Sequence, residues 1–415
     1  MDIPKFTLGM GDRFAHQGQA QLQAVLDARK DGIDLYPVWN KSFREHTIVG
    51  SQPADLRAEA DAAVRALGWS GAYFVDADHI RLDTVDPFLE GSDFFTIDVA
   101  DSVGAPAEEI DIETFLKRVG PYQGELSIPG LDGLFQVTPS LIRNTARKFL
   151  KAIQEAGTIY RHILNEKGSA ADFIVEVSVD ETDTPQTPIE LLLILAMLSF
   201  EGIPAQTIAP KFTGRFNKGI DYVGDLRQFA REFDEDLSVL AFAIREFGLP
   251  DSLKLSVHSG SDKFSIYPVI NALLKKHNAG LHVKTAGTTW LEEVIGLAES
   301  GGEGLAIAKA IYADASERFE ELTAPYSTVI DVDPGKLPRV DHVNSWTGQQ
   351  FAASLRHDPE SPDYNRHLRQ LLHVAFKLAA EMGTRFSDAL KANAGSISEN
   401  VSDNLLRRHI RPLFG

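Results

Sequence analysis

Apolar residues recur along this chain in two alternating rhythms. Short runs at Phe6–Met10, Gly71–Val75, Phe94–Val99, Phe173–Val179, Ala205–Ala209, Leu253–Val257 and Leu281–Lys284 have the length and composition of buried strands. Between and after them, apolar residues return every three or four positions. That spacing predicts helices over Gln17–Lys30, Ala54–Leu67, Pro139–Leu164, Pro188–Phe200, Asp225–Phe247, Ile266–His277, Trp290–Glu299 and Gly304–Leu322. Strands joined through helices imply right-handed crossovers and a parallel sheet. So many before residue 285 favour an α/β fold of the TIM-barrel-like (β/α)8 type over a doubly wound open sheet.

Two regions depart from this rhythm. The stretch 104–138, rich in Gly, Pro and acidic residues, reads as an insertion between strands. From Asp341 to Gly415 the pattern is helical only, over Gln349–Arg356, Tyr364–Gly383 and Asn400–Arg407. The expected organisation is therefore a catalytic barrel over 1–340 and a helical C-terminal extension, 341–415, packed on it. Such a tail is compatible with a homo-oligomer interface or a lid.

Composition narrows the function. The 415 residues carry a formal net charge of −18, which argues against nucleic acid or an anionic membrane as partner. It also implies that an anionic substrate would need a local concentration of Lys and Arg. Cysteine is absent, which excludes thiolate metal sites and cysteine nucleophiles. The first residues lack an apolar signal core and the run Leu191–Phe200 is too short to span a bilayer, so a cytoplasmic protein is expected. No glycine-rich stretch matches a nucleotide-binding pattern.

In parallel barrels the reactive side chains stand at the C-terminal ends of strands. Alternation along Phe173–Asp180 sends Val175, Val177 and Val179 one way and Glu176, Ser178 and Asp180 the other. Polar groups turned into a barrel are costly unless they bind each other or a ligand. Asp76, Asp78 and His79 close an earlier strand, with Asp76 read equally well as a helix cap or turn residue. His258, Ser259, Asp262 and Lys263 follow another strand and open a helix, where free N–H groups can hold an anion. Thr285-Ala286-Gly287-Thr288-Thr289 offers a second such place. Lys211 and Lys284 also fall at strand ends, and Arg13 follows the first strand, so the cations an anionic substrate needs are present. His79 and His258, with Glu176 or Asp180 as the carboxylate, suit a divalent transition ion such as Zn, Mn, Fe, Co or Ni. The remaining helical histidines, among them His357, His373 and His409, read as surface or packing residues.

The motifs Val75-Asp76-Ala77-Asp78-His79, His258-Ser259-Gly260-Ser261-Asp262-Lys263-Phe264-Ser265-Ile266-Tyr267-Pro268 and His282-Val283-Lys284-Thr285-Ala286-Gly287-Thr288-Thr289-Trp290-Leu291-Glu292 resemble the tagaturonate/fructuronate epimerase family of hexuronate catabolism. The resemblance covers most of the chain, from Phe6 to about Arg407. It implies a metal-dependent epimerase on a TIM-like scaffold acting on a keto-uronate. It further implies Asp78 as proton acceptor and His79 and His258 as metal ligands, and leaves the carboxylate ligand to be chosen between Glu176 and Asp180 as read from the residues above. Asp180 and Lys211 are the further catalytic candidates, and Arg13, Ser259, Asp262, Lys263 and Lys284 the candidates for holding the anionic sugar. A metal-dependent aldolase or ketose isomerase would use the same groups. A sugar-acid-binding protein without catalysis would not need clustered carboxylates.

Overall fold

The computed structural model describes residues 1–285 and 287–415; of the helix-opening stretch singled out above, Ala286 lies outside the described residues. The strands are β1 (Phe6–Gly11), β2 (Tyr36–Ser42), β3 (Phe74–Ile80), β4 (Phe94–Asp98), β5 (Gly124–Leu126), β6 (Phe135–Val137), β7 (Ile174–Ser178), β8 (Thr207–Ala209), β9 (Lys254–His258) and β10 (Leu281–Lys284). Eight of them close in the order β1-β10-β9-β8-β7-β4-β3-β2, while β5 and β6 form a separate antiparallel pair. Every barrel pairing is parallel, so all the C-terminal strand ends open on one rim.

Strand alternation divides each barrel strand. Val175 and Val177 pack outward in the large apolar core under the helices, whereas Ile174, Glu176 and Ser178 line the interior. The interior is layered. Val38, Phe74, Phe94 and Ile174, with Ile3 beneath them, form a separate apolar plug at the floor. Above it the buried side chains become polar: Thr7, Asn40, Asp76, Thr96, Glu176, Thr207 and His282. The plug gives the barrel a dry base and leaves its upper half for chemistry.

Two barrel strands differ from the sequence reading. Strand β2 has no counterpart in it, because the polar Asn40-Lys41-Ser42 breaks any apolar run there. The structure buries Asn40 toward the interior, and Lys41 donates to the Arg13 carbonyl at 2.6 Å and to Ser51 Oγ at 2.8 Å. Strand β3 does not stop at Val75. It runs through Asp76, Ala77 and Asp78, with Asn40 opposite Asp76 and Ser42 opposite Asp78. Asp76 is thus a barrel-lining strand residue and not a helix cap or turn residue. The pairing of β3 with β4 shifts register between Ala77 and Ile80, and His79 there has φ +53°. A bulge of this kind re-aims a side chain at a rim, and the left-handed backbone at a non-glycine is a sign of local strain.

The stretch 104–138 leaves the barrel after β4 and carries the helix Glu109–Arg118 and the β5–β6 hairpin. The C-terminal helices wrap the helix Thr288–Glu299. Trp290 Nε1 donates to the Leu372 carbonyl at 2.7 Å. The helix Ala394–Asp403 crosses so close that a Cβ at Gly296 would stand 2.7 Å from Ile397 Cα. Among the described residues no helix is long and apolar enough to cross a membrane.

Candidate active site

The upper barrel is organised around one ammonium group. Lys284 Nζ, from the end of β10, lies 2.8 Å from Asp76 Oδ2, 3.0 Å from Asp78 Oδ1 and 3.0 Å from Glu176 Oε1, and it also donates to Thr96 Oγ1. Its room comes from Gly9 on the neighbouring strand, where a Cβ would meet the Lys284 stem at 3.0 Å. Burial works against the charge on Lys284, but Asp76, Glu176 and Asp78 outweigh it and hold the ammonium well above its usual range. The carboxylates respond unequally. Burial pushes Asp76 up to about 7, despite Lys284. Asp78 is as deeply buried, yet His79 and Lys284 together hold it well below the ordinary range. Two carboxylates on one strand thus differ in protonation because only Asp78 has a second cationic neighbour.

A second group stands beside the first. His258 faces Glu176 Oε1 through Nε2 at 2.7 Å and Asp180 Oδ2 through Nδ1 at 3.1 Å. Burial lowers its pKa, but Asp180 and Glu176 raise it further, to about 10. The His79 ring meets His258 edge to face at 4.9 Å between centroids, and its Nδ1 lies 2.9 Å from Asp78 Oδ1. Ligand atoms of His79, Asp180 and His258 all fall within 4.8 Å of one another. Two imidazoles and one carboxylate at that spacing are a donor set suited to a divalent transition ion. Glu176 is outside this trio. It is fully buried, accepts from Thr207 Oγ1 at 2.7 Å and Thr96 Oγ1 at 3.3 Å, and pairs with Lys284.

The structure thus brings together Asp78, His79, Glu176, Asp180, His258 and Lys284. It places the other candidates differently. Lys211 braces the site from outside, its Nζ 3.3 Å from the Asp180 carbonyl. Ser259 Oγ donates to the Lys284 carbonyl at 2.6 Å, tying the ends of β9 and β10 together. Lys263 is spent on its own loop, on the Asn217 carbonyl at 2.9 Å and Ser261 Oγ at 3.1 Å, and burial pushes its pKa down to about 7. Asp262 is fully buried among Arg369 at 2.7 Å, His357 at 3.0 Å and Thr288 Oγ1 at 3.0 Å, so it anchors the C-terminal extension. Arg13 donates to Glu45 at 3.1 Å and to the His373 carbonyl at 3.0 Å, with its guanidinium over the Phe376 ring.

Three further residues stand out, of which the sequence pointed only to Lys218, as a cation near Lys211. Asn40 is fully buried, and neither amide atom has a partner among the described residues. The same holds for both ring nitrogens of His373. Lys218 is a third, half-buried near Arg13 and Asp78. No signal in the sequence marks Asn40 or His373 as site groups, since each becomes unusual only through what surrounds it.

Comparison with known proteins agrees with this architecture. The family described as tagaturonate epimerase matches residues 1–411. The curated tagaturonate/fructuronate epimerase of Thermotoga maritima is 30% identical over 428 aligned positions, covering 99% of this chain and 81% of that protein. Crystal structures of fructuronate-tagaturonate epimerase from Cohnella laeviribosi, native and with one glycerol bound, superpose with TM-scores of 0.81 at 24% identity, covering 100% of this chain and 82% of theirs. That likeness establishes the shared fold. With the family match over nearly its full length, the chain belongs to the tagaturonate epimerase family and is an isomerase built on an eight-stranded parallel barrel.

Proposed function

We propose that this protein interconverts D-tagaturonate and D-fructuronate by opening and re-forming a carbon–carbon bond. The observation that carries the reading is the placement of the His79–Asp180–His258 trio directly against the Asp78–Lys284 pair. The two sugars differ at a hydroxyl-bearing carbon β to the ketone. Its hydrogen is not acidified by the carbonyl, so simple deprotonation there is unfavourable, whereas a retro-aldol cleavage needs only a base for the hydroxyl and stabilisation of the enolate.

Asp78, ionised and facing both His79 and Lys284, takes the proton of the β-hydroxyl. The O–H electron pair becomes the aldehyde carbonyl, and the carbon–carbon bond pair passes to the ketone fragment as an enolate. The aldehyde turns its other face, the bond re-forms, and Asp78 returns the proton. His79, Asp180 and His258 are the residues that would hold a divalent cation, which supplies Lewis-acid polarisation of the substrate's oxygens when bound. Lys284 keeps the neighbouring carboxylates from repelling one another, and Lys211 steadies the Asp180 backbone.

Turnover of D-fructuronate in heavy water tests the route. The expected product is D-tagaturonate with protium retained at the inverted carbon by NMR. Deuterium at that carbon would exclude the retro-aldol path. Dialysis against a chelator should abolish turnover and readdition of a transition ion should restore it, with ion binding measured independently on His258→Ala and Asp180→Ala.

A further inference from the structure

Retro-aldol cleavage of a keto-uronate leaves the carboxylate on the aldehyde fragment, two carbons from the centre that inverts. That fragment must turn without escaping, so its carboxylate needs an anchor separate from Asp78. Lys284 is a poor choice, since Asp76, Asp78 and Glu176 already surround it.

A different set of cations stands close by. Arg44 and Lys218 both stand against the Tyr326 ring, 4.9 Å and 5.8 Å from its centroid. Among the described residues neither side chain has an ion pair or hydrogen bond; Lys218 bonds only through its backbone N–H, to the Val329 carbonyl at 2.8 Å. Gly219, the next residue, packs so that a Cβ there would touch His373 Cβ at 3.4 Å. The His373 ring is fully buried with both nitrogens unpartnered, and it lies against Gly287 at the start of the helix Thr288–Glu299. Burial, with Arg13, Lys218 and Arg369 nearby, holds His373 well below its usual range, so it is a neutral imidazole with an N–H to give. Burial, Arg13 and Arg44 likewise push Lys218 down to about 8, while Glu45 and Asp78 act in the opposite sense. In a chain of net charge −18, an exposed Arg44 and a half-buried Lys218 without ion pairs, near a buried unpartnered donor, concentrate positive charge where an anion can be held.

We propose that Lys218, Arg44 and His373 form the subsite that receives the substrate carboxylate and that this carboxylate is the pivot about which the aldehyde turns. The inference rests on the keto-uronate reading above. It makes the C-terminal extension, through His373, a contributor to substrate recognition.

D-glycerate reproduces the carboxylate end of the aldehyde fragment, and glycerol is its uncharged counterpart. Calorimetric titration of the full-length protein should show glycerate binding more tightly than glycerol. Lys218→Met should weaken glycerate by roughly 10- to 100-fold, as for loss of a charge-assisted hydrogen bond, and leave glycerol unchanged. Arg44→Gln should do so less, and Lys218→Arg should restore most of the affinity. A Lys218→Met protein that keeps its melting temperature and its glycerate affinity overturns the subsite. So does a variant that weakens glycerol equally, or a wild type that prefers glycerol. Turnover separates the two readings. Lys218-dependent glycerate binding without keto-uronate turnover retains the subsite and removes the epimerase reading. Turnover with wild-type KM in Lys218→Met does the reverse.

Discussion

Lys284 shows what a single buried charge does here. Its ammonium serves Asp76, Asp78 and Glu176 at once, and all four groups are shielded from water. Removing it would leave carboxylates that must either repel one another or take up protons. Lys284→Met is therefore expected to cost about 3 to 5 kcal/mol, the range for breaking a buried ion pair, and to abolish turnover. Asp76, already at about 7, offers relief by protonation. The cost should be smaller at pH 6 than at pH 8, because protons neutralise the orphaned carboxylates at the lower pH. Guanidinium unfolding at both pH values checks it; equal cost at the two would show that the cluster is not electrostatically coupled. At this scale the sequence was partly legible. Glu176 and Asp180 follow from strand alternation, and His258 from its place at a strand end. The split between Asp180 in the imidazole trio and Glu176 on the lysine does not, because a carboxylate's partner depends on which strands are neighbours across the barrel.

At the level of elements, the loops after β9 and β10 decide where the C-terminal helices can sit. Gly287 is the tightest point. A Cβ there would overlap the His373 ring and come within 2.8 Å of the Gly260 carbonyl. Gly287→Ala must displace His373 or shift the helix Thr288–Glu299. Overpacking of this kind costs about 1 to 3 kcal/mol, read as a lower melting temperature. If His373 belongs to the carboxylate subsite, KM for the keto-uronate should rise more than kcat falls. An unchanged KM with a lowered melting temperature would make Gly287 purely structural. The same scale explains the missing strand. Pro37 and the polar run Asn40-Lys41-Ser42 hide β2 from any hydrophobic pattern, and only closure of the barrel between β1 and β3 requires a strand there.

For the molecule as a whole, Asp262 is the joint between barrel and tail. Arg369, which it meets at 2.7 Å, also donates to the Gly219 carbonyl at 2.7 Å and the Leu355 carbonyl at 2.7 Å, so one guanidinium links three segments. Burial raises the Asp262 pKa, but Arg369 and the His357 and His409 contacts outweigh it and hold the carboxyl well below the ordinary range. A depressed folded pKa stabilises the native state at every pH above the unfolded value, about 4, and that contribution is lost as pH falls through the folded value. Asp262→Asn should therefore destabilise by about 3 to 5 kcal/mol at neutral pH, and the gap from wild type should narrow below about pH 4. Limited proteolysis should then release the C-terminal helices first. A gap independent of pH would assign the loss to packing.

Local rhythms and the residue types at strand ends are readable from the chain without its fold. Period-two and period-3.6 patterns need only neighbours along the chain, so they announced the parallel barrel, the helical tail and the inward row Glu176, Ser178, Asp180. Tertiary structure decided the rest. It drew Lys284 into a carboxylate cage, turned Asp262 and Lys263 into scaffolding, left Lys218 and Arg44 without ion pairs at Tyr326, and left His373 unpartnered beside Gly219 and Gly287. Those assignments turn on charge pairing and desolvation between residues far apart in the chain, and such energies exist only once the barrel has closed and the tail has packed.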